Sequence, residues 1–261
     1  MDNIWQKILE IKQERQKAIL CIVVEAKGST PRKPGSKLLV TGDGKFFGTV
    51  GGGDLEYRTI EEARKLLVNP QSRLMTFNLS RDLNMACGGQ VSVYFEPLLP
   101  ASQLVIFGGG HVGQALATMA ANLDFDIVVV EPRKDVLDSW NSKENVKFVI
   151  KDYLSAIDEI KFDKDTYICS MTFGHEYDLE IAARCLKKDF AYLGVLASRN
   201  KAAKFARALV QKYGYSDEDV KQIDMPMGVP IACETPQEIA ISILARLVDL
   251  KNKLSKNVNA E

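Results

Sequence analysis

The stretch Leu104 to Arg133, LVIFGGGHVGQALATMAANLDFDIVVVEPR, constrains this chain more than any other. An apolar run from Leu104 to Phe107 feeds a glycine-rich turn, apolar residues then recur at helical spacing, and a second apolar run, Ile127 to Val130, ends at Glu131. That succession predicts one strand–helix–strand unit of a dinucleotide-binding fold. Gly108, Gly110 and Gly113 stand at G-x-G-x-x-G positions, where missing side chains permit a tight turn, close approach of a pyrophosphate and packing of helix on strand. Glu131 sits where an acid can accept hydrogen bonds from a ribose. The pattern speaks for the fold first and for a bound nucleotide, NAD(P) or another, second, because fold does not dictate function.

Further strand-like runs at Phe148, at Tyr167 to Cys169 and at Ala191 to Leu196 alternate with helical stretches. This alternation predicts an α/β chain whose second half, residues 100–261, is a Rossmann-like domain with a doubly wound parallel sheet. Ligands of such sheets bind beyond the carboxyl ends of the strands, which singles out the loops Gly108 to Gly113, Glu131 to Arg133, Ser170 to Asp178 and Ala197 to Lys201. His111 lies in the glycine-rich turn, either reaching a ligand or facing solvent. His175, close to Glu176 and Asp178, is a proton-transfer or ligand group or else orients its loop. Near the end, Thr235, Pro236 and Glu238 form a capping-box pattern ahead of a long apolar-periodic helix that is core or an oligomer face.

Two prolines in Glu96-Pro97-Leu98-Leu99-Pro100 mark the boundary with a smaller N-terminal α+β domain, residues 1–99. There an amphipathic helical pattern over residues 3 to 15 precedes a buried strand, Ala18 to Ala26. The loop KGSTPRKPGSK follows, with Ser29, Thr30, Arg32 and Lys33 offering donors to a phosphate or simply forming a solvated turn. Strand-like runs at Leu38 to Thr41 and Phe46 to Val50 flank a Gly42-Asp43-Gly44 hairpin turn. Gly51, Gly52 and Gly53 then precede a helix that Asp54 is expected to cap; their N–H groups face an anion, or the glycines only serve the turn. Cys87, beside Gly88 and Gly89, lies outside any apolar periodicity and is either a reactive soft-sulfur ligand or an inert thiol.

Lys plus Arg and Asp plus Glu number 34 each, so no charge excess favours nucleic acid or an anionic membrane. No apolar run reaches the roughly 18 residues of a membrane span, and the charged N-terminal pattern lacks a signal-peptide core, so a cytoplasmic protein is expected. Five widely spaced cysteines, Cys21, Cys87, Cys169, Cys185 and Cys233, suit reduced thiols better than a disulfide framework. Nucleophile elbows, Walker loops and HExxH pairs are missing, which removes three common catalytic designs.

Taken in order, GSTPRKPGSKLLV, GTVGGGDLE, ACGGQVSVYFEP, IFGGGHVGQAL, MTFGHEYDLE, YLGVLASRNK and ETPQEIAISILA resemble the XdhC/CoxI family over nearly the whole chain. The resemblance implies an accessory protein, a chaperone rather than an enzyme, and so no catalytic residues. Such a protein holds molybdenum cofactor (molybdopterin) for sulfuration with a cysteine desulfurase and inserts it into a xanthine dehydrogenase-type molybdenum hydroxylase. A homodimer is expected, and so is a cofactor lying in a cleft between the domains. Residues carried over from the family motifs include Ser29, Arg32, Gly51, Gly52, Gly53, Glu56, Cys87, Gly88, Gly108, Gly110, His111, Gly113 and His175, with Cys87 as candidate molybdenum ligand. Asp178, Ser198 and Lys201 also fall on family motifs. Phe173-Gly174-His175 stands where the family usually shows a His-Asp-His-like run, and Pro230, Cys233 and Arg246 depart from it as well. Against the chaperone stand an NAD(P)-dependent oxidoreductase built on the glycine-rich turn and a nucleotide-sensing regulatory module.

Overall fold

A computed structural model describes residues 3–79, 88–140 and 145–258, the side chains of His175 and of residues 254–258 excepted. The chain divides into two compact units, the second of them spanning Ala101–Ser255.

The first unit runs α1 (Ile4–Gln13), β1 (Ala18–Lys27), β2 (Lys37–Thr41), β3 (Phe46–Gly48), α2 (Gly53–Val68), β4 (Arg73–Asn78) and β5 (Gln90–Leu98). Its strands form an antiparallel sheet in the order β3-β2-β1-β5-β4. The unbroken apolar run of β1 follows from its central place, since alternate side chains face two covered sides. Ile19, Cys21 and Val23 pack with Leu55, Ala63 and Leu66 of α2, while Ala18 and Leu20 pack with Ile8 and Ile11 of α1. Each fully buried aliphatic side chain of this kind contributes about 1.5–3 kcal/mol relative to exposure.

Two details differ from the sequence expectation. The third strand stops at Gly48 rather than Val50, because Gly48 takes a φ of 85° that turns the chain out of the ladder. The helix cap is Gly52 rather than Asp54: α2 already begins at Gly53, so Asp54 lies in its first turn, where an acid complements the positive end of the helix.

The second unit runs β6 (Ser102–Phe107), α3 (His111–Ala120), β7 (Phe125–Val130), α4 (Lys134–Asp138), β8 (Val146–Val149), α5 (Tyr153–Glu159), β9 (Thr166–Ser170), α6 (His175–Cys185), β10 (Tyr192–Val195), α7 (Arg199–Tyr213), α8 (Asp217–Lys221), β11 (Ile223–Asp224) and α9 (Pro236–Val258). All its strand pairs are parallel, in the order β11-β10-β9-β6-β7-β8. Leu104, Ile106, Ile127 and Val129 face α3 and α9, through Leu116, Ala240 and Ile243, while Val105, Phe107, Val128 and Val130 face α5, α6 and α7, through Ile157, Ile181 and Phe205. This is a doubly wound Rossmann-like sheet. The chain leaves β8 and returns at β9 on the other side of β6, so the crevice at the carboxyl ends of β6 and β9 is the topological switch point. The expected capping box of α9 is formed: Glu238 N–H donates to Thr235 Oγ1 (3.3 Å) and Thr235 N–H to Glu238 Oε2 (2.9 Å). Among the described residues no helix is long and apolar enough to cross a membrane.

Candidate functional site

In the first unit, three stretches distant in sequence meet. A Cβ on Gly51 would lie 2.6 Å from Pro31 Cγ, and a Cβ on Gly89 would lie 2.7 Å from the Lys27 carbonyl oxygen and 2.8 Å from Thr30 Cγ2. The basic loop therefore touches both the triple glycine and the turn at Gly88. Gly51, Gly52 and Gly53 have φ of 143°, 78° and 57°, a run that side-chain-bearing residues rarely adopt. Gly51 N–H donates to Thr49 Oγ1 (3.1 Å), and the Thr49 hydroxyl donates to the Glu56 carboxylate. Glu56 thus braces the turn through Thr49. Ser29, Arg32, Gly53 and Gly88 are exposed on this surface. The expected soft-sulfur residue, Cys87, lies outside the described residues.

In the second unit the glycine-rich turn closes on itself. Gly108, with φ of 114°, donates its N–H to the Val130 carbonyl (2.9 Å), and a Cβ on it would lie 2.8 Å from the Met171 carbonyl carbon. A Cβ on Gly113 would overlap the Gly108 carbonyl oxygen, whereas one on Gly110 would meet nothing within 4 Å. Gly108 and Gly113 thus serve the turn and the helix packing that their spacing predicts, and Gly110 leaves open space beside the turn. His111 opens α3, exposed, and lines a groove of about 540 Å³ with Gln114, Met119 and Pro236. His175 is the first residue of α6, five positions past the last residue of β9.

Glu131 is placed at the end of β7 as expected, but its carboxylate is turned inward and is 0% exposed. Oε1 accepts from Arg133 N–H (3.1 Å) and Arg133 Nε (2.7 Å); Oε2 accepts from Gly109 N–H (2.9 Å), Arg133 Nη2 (3.0 Å) and Tyr153 OH (3.3 Å). Burial works to raise its pKa, yet the Arg133 fork and the two backbone N–H groups outweigh burial and hold it below the usual glutamate value. Burial, with the Glu131 charge beside it, pushes the Tyr153 phenol up, so that hydroxyl stays protonated and donates. Trp140 Nε1–H donates to the Gly109 carbonyl (2.9 Å), so Gly109 is held at both its N–H and its carbonyl. The Arg133 guanidinium lies 4.2 Å from the centroid of the Phe173 ring.

A second buried carboxylate organises the ends of β9 and β10. Asp178, 1% exposed, accepts from Ser170 Oγ (2.8 Å), Thr172 N–H (2.9 Å) and Thr172 Oγ1 (2.9 Å) on one oxygen, and from Lys201 Nζ (2.9 Å) on the other. Asp178 and Lys201 end two of the loops that the parallel sheet singles out for ligands, and both fall on family motifs. They are 23 residues apart in the chain, and only the adjacency of two parallel strands brings them together. Cys21, Cys169 and Cys185 are buried, and burial pushes the thiols of Cys21 and Cys185 up to about 12 and that of Cys169 further. Among the described residues, no group of three or more His, Cys, Asp or Glu side chains is placed to hold a metal ion.

An antiparallel α+β unit with a glycine-rich turn, followed by a Rossmann-like unit with its own glycine-rich turn, defines a two-domain α/β protein. That succession is matched by two family models, "XdhC and CoxI family" over residues 11–78 and "XdhC Rossmann domain" over residues 104–247, and the chain belongs to the XdhC/CoxI family. It is 32% identical over 255 residues to the Escherichia coli (strain K12) protein YqeB, described as uncharacterized, covering 96% of this chain and 46% of that one. The chain therefore spans about half the length of that relative. It is 20% identical over 288 residues to the molybdenum cofactor insertion chaperone PaoD of the same organism, covering 90% of this chain and 83% of PaoD. A crystal structure described as a xanthine dehydrogenase from Bacillus halodurans shares the fold, with a TM-score of 0.51, 20% identity and 95% of each chain covered.

Proposed function

We propose that the chain is a carrier for molybdenum cofactor, which it holds during sulfuration by a cysteine desulfurase and passes to a xanthine dehydrogenase-type molybdenum hydroxylase. The observation that carries this reading is the convergence of the loop at Ser29 and Arg32, the triple glycine and the turn at Gly88 in a chain of the XdhC/CoxI family. The cargo is an anionic pterin phosphate. A surface of backbone N–H groups without side chains, with an exposed Arg32 beside it, suits that chemistry. Cys87, next in sequence to Gly88, is the proposed thiolate for molybdenum, a soft ligand for a thiophilic metal. The likeness to PaoD supports the same class of cargo.

The second unit contributes Gly108, Gly110, Gly113, His111 and His175 as further candidates. Glu131 acts indirectly in this reading, by fastening the turn. That role weighs against the nicotinamide alternative, since a ribose diol would have to displace protein donors from a carboxylate that is 0% exposed. The test is retention. Chain purified from cells that make the cofactor carries molybdenum and its oxidised fluorescent pterin through gel filtration, and Arg32→Ala or Cys87→Ser reduces the load. Tight NAD or NADP binding with hydride transfer, and no retained molybdenum, overturns the reading.

A further inference from the structure

One cavity of the second unit lies apart from the surfaces used above. It measures about 910 Å³, within the range of small-molecule sites, and it sits at the carboxyl ends of β9 and β10, where open parallel sheets bind ligands. Its lining combines apolar side chains, Met171, Leu196, Phe205 and Ile239, with two ammonium groups, Lys201 and Lys204, and a single carboxylate, Asp178.

That carboxylate is already saturated by Ser170, Thr172 and Lys201. Lys201 is held from behind: Nζ donates to Asp178 Oδ2 at 2.9 Å and to the Leu196 carbonyl at 3.3 Å, it lies 5.0 Å from the Phe205 ring centroid, and it is 16% exposed. An ammonium has three donors, so one N–H of this fixed head remains for a ligand. Lys204 follows three residues later on α7 and therefore shares its face. Ser198 Oγ takes the Lys201 N–H (3.2 Å), so the N–H groups of Arg199 and Asn200, in the first turn, have no helical acceptor. A carboxylate needs only one of these cations, whereas a phosphate monoester, close to doubly charged, uses both.

We propose that this cavity binds a small phosphate monoester of a heterocycle, with the phosphate on Lys201 and Lys204 and the ring over the apolar lining. The chemistry is shared by nucleoside monophosphates, for which the site stands apart from the carrier reading, and by the phosphate-bearing pterin of the molybdenum cofactor, for which it rests on that reading. Calorimetric titration of the full chain with adenosine and guanosine monophosphates, with metal-free molybdopterin and with inorganic phosphate tests it. Cys233, on the cavity wall, supplies a second readout through its alkylation rate, followed by peptide mass spectrometry.

At least one heterocyclic phosphate binds in the micromolar range, slows Cys233 alkylation and is displaced by inorganic phosphate. Lys204→Ala weakens it about tenfold or more, the loss of one charge-assisted hydrogen bond. The pair Lys201→Met with Asp178→Asn, which leaves no buried charge unpaired, weakens it further. Binding of a nucleotide identifies one source and binding of the pterin alone the other. No saturable binding below about 1 mM by any of these probes overturns the proposal, as does binding that both folded variants leave unchanged. Loss of molybdenum carriage with nucleotide binding intact would sink the carrier reading and leave this site standing.

Discussion

Glu131→Gln removes one charge from the centre of the glycine-rich turn while keeping its shape. The carboxylate accepts from Gly109, from Tyr153 and three times from Arg133. A carboxamide has one acceptor oxygen, so its NH2 must face either the Arg133 fork or the Gly109 N–H, donor against donor. Removing one partner of a buried ion pair costs about 3–5 kcal/mol. The Arg133 side chain is 39% exposed and regains water, which lowers the expected loss to about 2–3 kcal/mol. At about 2–4 °C per kcal/mol, the melting temperature of this unit falls by about 5–10 °C. Trp140, 5% exposed and bonded to the Gly109 carbonyl, reports the transition by fluorescence in a Trp5→Phe background, which removes the other tryptophan. The pH dependence has a definite sign. The folded pKa of Glu131 lies below its ordinary value of 4.5, so the stabilisation is present above pH 4.5 and is lost as pH falls through the folded pKa. The glutamine variant lacks that part of the acid limb. A melting temperature within about 1 °C of the parent, or an unchanged acid limb, refutes the assignment of Glu131 as the fastening of the turn.

Two further outcomes follow from the same geometry. Gly113→Ala, whose Cβ overlaps the Gly108 carbonyl oxygen, destabilises the second unit by at least about 2 kcal/mol in urea unfolding. Gly110→Ala, with open space and a φ of −66°, changes stability by less than about 1 kcal/mol; equal effects would contradict the role assigned to each glycine. Of Cys21, Cys169, Cys185 and Cys233, only Cys233 reacts with a thiol reagent at pH 8 before unfolding, because burial pushes Cys21 and Cys185 to about 12 and Cys169 higher. Rapid labelling of the other three in the folded chain would show the core to be open.

The fold was readable where local physics acts alone. Continuous apolar runs such as Leu104 to Phe107 mark strands covered on both faces, and the Thr235 and Glu238 pair announces the start of α9 through a bond the sequence itself spells out. Strand order was not readable, because the return of β9 to the flank of β6 depends on which helix covers which face. The site was legible in part for the same reason. An acid at the end of β7 reads equally as a ribose acceptor or as a fastener of the turn, and Arg133 two residues on is the only local sign of the second. The Asp178–Lys201 pair left no spacing signature at all, since its partners come from α6 and α7. The meeting of Pro31, Gly51 and Gly89 is likewise a product of antiparallel pairing, of β1 with β5 for Gly89 and of β1, β2 and β3 for Gly51, not of proximity in the chain.

The measurement that bears most directly on the carrier account is transfer. The chain, isolated with its molybdenum load and freed of unbound cofactor, is mixed with an apo form of a xanthine dehydrogenase-type hydroxylase, and molybdenum in each protein is followed with substrate oxidation. If the chain is a carrier, molybdenum leaves it, appears in the hydroxylase and brings activity with it, and a chain carrying Cys87→Ser delivers less. A chain that retains no molybdenum after gel filtration, or a hydroxylase that gains activity equally fast from free cofactor, would contradict it.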